Sequence, residues 1–160
     1  MKLSAENTHG MNTEISTGSR FVDTESIPWT PFVMDGMHFK LLDYDEDRCT
    51  LFVKIDKGTT LAIHQHLAPV EFFLLEGSFG YVDEATGKES IIRKMGYMFE
   101  PPGTAHRPIS PDGCIGFSVL HGDIRGFDDA GNPVEIGPSE YYRRAKLNNA
   151  VSHLGTPEED

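Results

Sequence analysis

At 160 residues, with 38% hydrophobic and 24% charged residues, the chain has the size and composition of one ordinary globular domain and too little length for a second core. Its formal net charge of -11 has the wrong sign for a phosphate-binding surface, and no stretch approaches the roughly 20 apolar residues of a membrane span, so neither nucleic acid nor a bilayer is an expected partner. The first residues lack the apolar run of a secretory signal, and the two cysteines, Cys49 and Cys114, are too few for a disulfide framework, so a cytoplasmic protein with two core thiols is expected.

Residues 1–20 are polar and without periodicity and are expected to form a mobile arm, with a domain over 21–151 and an acidic tail over 152–160. Between the ends lie short β-type runs broken by turn residues every 8–12 positions, the rhythm of an all-β sandwich or barrel. Strands are predicted over 37–44, after the Asp35-Gly36 turn, and over 49–56, after Asp45-Glu46-Asp47. A strand over 59–66 would alternate, placing Leu61 and Ile63 on one face and His64 and His66 on the other. Runs 70–77 and 78–83 follow, then a polar loop, then 90–94, 96–100 and 115–122. The one convincing helix is late, with Ser139 as cap and a body from Glu140 to Ala145. No internal repeat is evident, and a closed or nearly closed antiparallel barrel with the helix packed outside accounts for the spacing.

His64 and His66, two apart on a predicted strand, leave the same face and can approach one ion together. Imidazole suits zinc, copper, iron and nickel and is largely neutral at pH 7. His-x-His alone is weak evidence, since solvent-facing histidines on an edge strand are common. The context is more specific: Gly58 lies five intervening residues before His64, Glu71 four after His66, and Gly96, Pro101, Gly103 and His106 follow downstream.

With these segments, GTTLAIHQHLAPVEFFLLEG (58–77) and GYMFEPPGTAH (96–106), the chain resembles the cupin superfamily, whose motifs are G(X)5HXH(X)3-4E(X)6G and G(X)5PXG(X)2H(X)3N. The first motif is one residue short before its final Gly, the second has four residues before Pro101, and Ser110 replaces the final Asn. The resemblance implies an all-β, single-domain jelly-roll barrel with a short C-terminal helix. It also implies one divalent metal ion held by His64, His66, His106 and Glu71. Glu71 has an alternative role, accepting the far N–H of a ligating histidine.

From about Phe32 to Ala145, including HGDIRGFDDAGNPVEIG (121–137), the chain is also similar to small cupin dioxygenases that cleave C–C bonds of β-diketones and of 2,4'-dihydroxyacetophenone. That resemblance implies iron(II), with zinc or nickel in the isolated protein, and a small carbonyl substrate together with dioxygen. It places Glu100 just outside the metal shell as a catalytic carboxylate, and Phe72 and Phe117 in the pocket lining. His121 faces either the cavity or the barrel rim. A basic residue of the diketone enzyme is replaced by Val82, which leaves the substrate open. Small cupins bury limited surface alone, so a homodimer or homotetramer is expected, and Trp29, Pro31 and Phe32 cover either a neighbour or the barrel's own edge. Two rival readings remain: a non-oxidative metal-dependent isomerase or hydrolase, and a metal-holding sensor cupin. The sensor would need an attached helical domain larger than a 20-residue arm.

Overall fold

In a computed structural model of the chain, residues 20–154 are described. The mobile-arm expectation falls outside them but for Arg20, as does the acidic tail beyond residue 154. Residues 152–154 do not fray: Ser152–Leu154 form a short 3-10 turn, and His153 Nε2 donates to the Leu41 carbonyl at 2.6 Å.

The turn residues deliver a series of short strands, as the alternation predicts. They are β1 (Thr30–Pro31), β2 (Met37–Tyr44), β3 (Cys49–Ile55), β4 (Thr59–Thr60), β5 (His64–His66) and β6 (Val70–Val82). β7 (Glu89–Arg93), β8 (Tyr97–Glu100), β9 (Ala105–Ser110), β10 (Cys114–Leu120), β11 (Ile124–Phe127) and β12 (Pro133–Ile136) complete the set, and α1 (Pro138–Leu147) follows. Neighbouring strands run antiparallel in the order β1-β2-β3-β10-β6-β9-β5-β11-β12, with β4 on β9 and β7 and β8 on β6. The sheet curls into a half-barrel. Within the closed or nearly closed barrel that was expected, β1 and β12 are the edges of the path.

Four details correct the sequence reading. The 59–66 run is interrupted after Thr60, so Leu61 does not oppose the histidines; it lines the same cavity as His64 and His66. The runs 70–77 and 78–83 are one 13-residue strand, β6, which pairs with β10 and β8 in its first half and with β7 and β9 in its second. At Gly77 φ is +79° and an added Cβ would lie 1.9 Å from the Gly113 carbonyl oxygen, so only glycine fits, and just before it β6 carries an irregularity opposite Ile115 and Gly116. The helix starts two residues earlier than expected, with Gly137 at the N-cap and Pro138 in the first turn, where its fixed φ suits the helix and its missing N–H costs nothing. The β11–β12 hairpin was not predicted.

The core lies inside the curl, built from the inward residues of each strand: Phe39 and Leu41 of β2, Leu51 and Val53 of β3, Val70, Phe72 and Leu74 of β6, and Leu120 of β10. Cys49 and Cys114 are free, buried thiols within it. Tyr141 fastens α1 to this core, stacking on Phe32 at 4.6 Å and meeting Phe39 edge-on at 5.1 Å. Phe32 therefore seals the protein's own edge. Trp29 does the same outside, with the ammonium groups of Lys40 and Lys54 4.8 and 4.9 Å from its ring. No helix among the described residues is long and apolar enough to cross a membrane.

Candidate metal centre

β5 carries His64 and His66 inward, and β9 lies antiparallel beside it with His106 directly opposite His64. Local strand geometry thus supplies two imidazoles, and pairing with a strand 40 residues on supplies the third. One ligand atom from each lies within 4.8 Å of the others, and all three residues are buried. The Nε2 atoms of His64 and His66 are 3.2 Å apart.

Hydrogen bonding settles where the lone pairs point. The Nδ1 of His64 lies 3.0 Å from the Ala62 carbonyl, which only accepts, so Nδ1 carries the proton and Nε2 the lone pair. His106 places Nδ1 2.6 Å from Glu100 Oε1, off the line of a straight N–H···O bond, while its Nε2 has no protein partner. His66 Nδ1 is likewise unpartnered. Buried polar atoms without partners are costly, and lone pairs converging in a buried space are what a cation satisfies. Two nitrogens each about 2.1 Å from one ion sit roughly 3.0–3.4 Å apart in octahedral or tetrahedral geometry, which brackets the observed spacing. The three histidines fit a divalent metal.

Electrostatics favour that use. Burial lowers the basicity of His64, and burial together with the nearby His64 brings His66 down to about 4, so both are neutral ligands at pH 7. Glu100 is 4% exposed. Burial works to raise its pKa, but contacts from His106 and from the Tyr81 hydroxyl, 2.6 Å from Oε2, outweigh that and hold it below the ordinary carboxylate value. A charged carboxylate therefore sits behind His106.

The remaining predicted residues divide by strand face. Phe72 points inward, lines the cavity and packs on Phe79 at 4.8 Å. Glu71, its neighbour, points out; its oxygens meet Tyr97 Oη at 3.0 Å and His121 Nε2 at 3.3 Å, and it stands apart from the histidine cluster. Ligation by Glu71 is thus replaced by an outer hydrogen-bonding role, and His121 belongs to the rim. Phe117 also points out, in register with Phe73 and Phe52, and does not line the pocket; the inward residue there is Ser118, opposite Phe72. Val82 is not on the cavity wall either. Tyr81 is, and it was missed: its ring stacks on His106 at 3.9 Å and 17°.

The cavity encloses about 70 Å³. Apart from the histidines, Tyr81, Tyr141 and Ser118, its wall is apolar, with Phe72, Leu61, Val70 and Met98 coming from the two motif segments, and among the described residues no lysine or arginine lines it.

A curled antiparallel sheet holding three converging histidines in an apolar interior is a cupin with a candidate metal centre. More particularly, the chain belongs to the ChrR cupin-like domain family, whose pattern matches residues 17–124. No curated protein sequence matches it. Among solved structures, an acetylacetone dioxygenase of Acinetobacter johnsonii is 21% identical, with TM-score 0.64 over 92% of this chain and 98% of the other. A Methylibium petroleiphilum protein provisionally assigned as an acetylacetone dioxygenase is 20% identical, with TM-score 0.70 over 81% and 96%. The polyketide cyclase RemF of Streptomyces resistomycificus is 16% identical, with TM-score 0.61 over 82% and 98%. At these identities the likeness is one of fold.

Proposed function

We propose that the protein is an iron(II)-dependent dioxygenase that cleaves a carbon–carbon bond of a small β-diketone or hydroxyketone. The observation that carries this reading is the set of three buried imidazoles whose nitrogens converge at the wall of an apolar cavity. The fold shared with acetylacetone dioxygenases supports it.

When bound, ferrous iron supplies open coordination positions and Lewis acidity for a chelating substrate and dioxygen. The protein supplies the rest. Three neutral ligands leave the full double positive charge for an anionic enolate, which a ligating carboxylate would have reduced by one. Phe72, Val70, Leu61 and Met98 keep water out, and the low dielectric strengthens attraction between opposite charges at the centre. Among the described residues no cationic side chain lines the wall, which favours substrates whose charge develops only at the chelating oxygens over those carrying a carboxylate or phosphate. The buried shape orients such a small ligand against the ligand face formed by β5 and β9.

The test is oxygen uptake by protein stripped of metal and reloaded anaerobically with iron(II), given 1,3-diketones and hydroxyacetophenones. Uptake that requires iron, substrate and His106 is the expected result, with His106→Ala inactive. A fully iron-loaded protein that consumes no oxygen with any of them would overturn the dioxygenase reading in favour of non-oxidative metal chemistry or metal binding alone.

A further inference from the structure

Glu100 was expected as a catalytic carboxylate, yet both of its oxygens face protein groups, Oε2 in a hydrogen bond and Oε1 in close contact off the hydrogen-bond line. Oε1 lies 2.6 Å from His106 Nδ1 and Oε2 accepts the Tyr81 hydroxyl at 2.6 Å. A buried carboxylate persists only while its lone pairs are satisfied, and among the described residues no arginine or lysine contacts this one. Tyr81 is therefore the hydrogen-bond donor that holds Glu100 in place.

Tyr81 holds the same histidine a second way. Its ring lies nearly parallel to the His106 ring at 3.9 Å, and Phe79 meets Tyr81 edge-on at 5.6 Å and 76°. His106 is thus fixed in its plane by stacking, and the carboxylate oxygen 2.6 Å from Nδ1 favours the tautomer that carries its proton there. That tautomer leaves Nε2 as the lone pair facing His64 and His66.

We infer that Tyr81 is a positioning residue of the metal centre, acting on His106 directly through its ring and indirectly through Glu100, and that Glu100 orients a ligand instead of serving as the base. The inference rests on the metal-binding half of the proposed function and does not depend on whether the reaction uses oxygen.

Tyr81→Phe is the informative variant, because it keeps the stacked ring and removes only the hydroxyl. The measurement is cobalt(II) binding to metal-free protein, by calorimetry and by the visible ligand-field spectrum of the bound ion. Loss of an orienting partner of a ligand costs roughly 10–100-fold in metal affinity, and Tyr81→Phe and Glu100→Gln are each expected to fall in that range, with an altered cobalt spectrum. Tyr97→Phe removes a tyrosine-to-glutamate hydrogen bond on the outer face and is expected to change neither. A merely structural tyrosine would lower the melting temperature and leave the spectrum alone. Tyr81→Phe protein with wild-type affinity and spectrum would overturn the inference while leaving the metal centre intact. Wild-type protein that binds no cobalt would overturn the proposed function and this inference with it.

Discussion

Acidification of the metal-free protein should destabilise it in a window set by the histidine cluster. His66 is 8% exposed, and burial together with the adjacent His64 lowers its pKa from 6.5 to about 4. Between those values the unfolded chain takes up a proton that the folded chain refuses, so stability is fully present above 6.5 and is lost as pH falls toward 4. At 1.36 kcal/mol per pH unit, His66 alone contributes a loss of about 3 kcal/mol, and His64, shifted the same way, adds to it. Glu100 does not confuse the window, because its carboxyl is held below 4.5 and its contribution disappears only at lower pH. Urea unfolding in chelator at closely spaced pH values, followed by Trp29 fluorescence, measures the slope. His66→Gln should remove most of it. Stability that is flat or rising as pH falls from 7 to 4.5 would refute the burial of neutral imidazoles on which the metal centre is built.

Two further outcomes follow from strand faces and backbone geometry. Glu71→Ala should leave cobalt(II) affinity within about two-fold of wild type, against the roughly 10–100-fold expected for an orienting partner, as calorimetry will show. Gly77→Ala should cost more than about 2 kcal/mol in urea unfolding, or abolish soluble expression, since a left-handed alanine alone costs roughly 1–2 kcal/mol and its Cβ would meet the Gly113 carbonyl.

Much of the site could be read without coordinates because it depends on local geometry. Two side chains separated by one residue on a strand share a face, so His64 and His66 had to converge wherever that strand lay. The turn residues marked most strand ends, and the resemblance of residues 96–106 to the second cupin motif implied His106 as the third member. The outward placement of Glu71 was also within reach, since period-2 alternation with inward Val70, Phe72 and Leu74 puts it on the opposite face. What obscured it was the expected ligand set.

Tyr81 was different. Before Gly77 the even-numbered residues Phe72 and Leu74 face the interior, whereas after it the odd-numbered Phe79 and Tyr81 line the cavity. A single alternation carried along β6 puts Val82 inside and Tyr81 outside, a one-position error that reverses every side chain beyond the irregularity. Sequence determined which residue types could hold a metal and which pairs shared a strand face. Tertiary structure decided the rest: the extra residue of β6 at Leu75, opposite the Ile115–Gly116 step of β10, shifted its phase just ahead of the left-handed Gly77, and the pairing of β9 with both β5 and β6 brought His106 beside the other histidines and Tyr81. Both depend on contacts between segments far apart in the chain, Gly77 with Gly113 and His64 with His106, and no local pattern encodes their register.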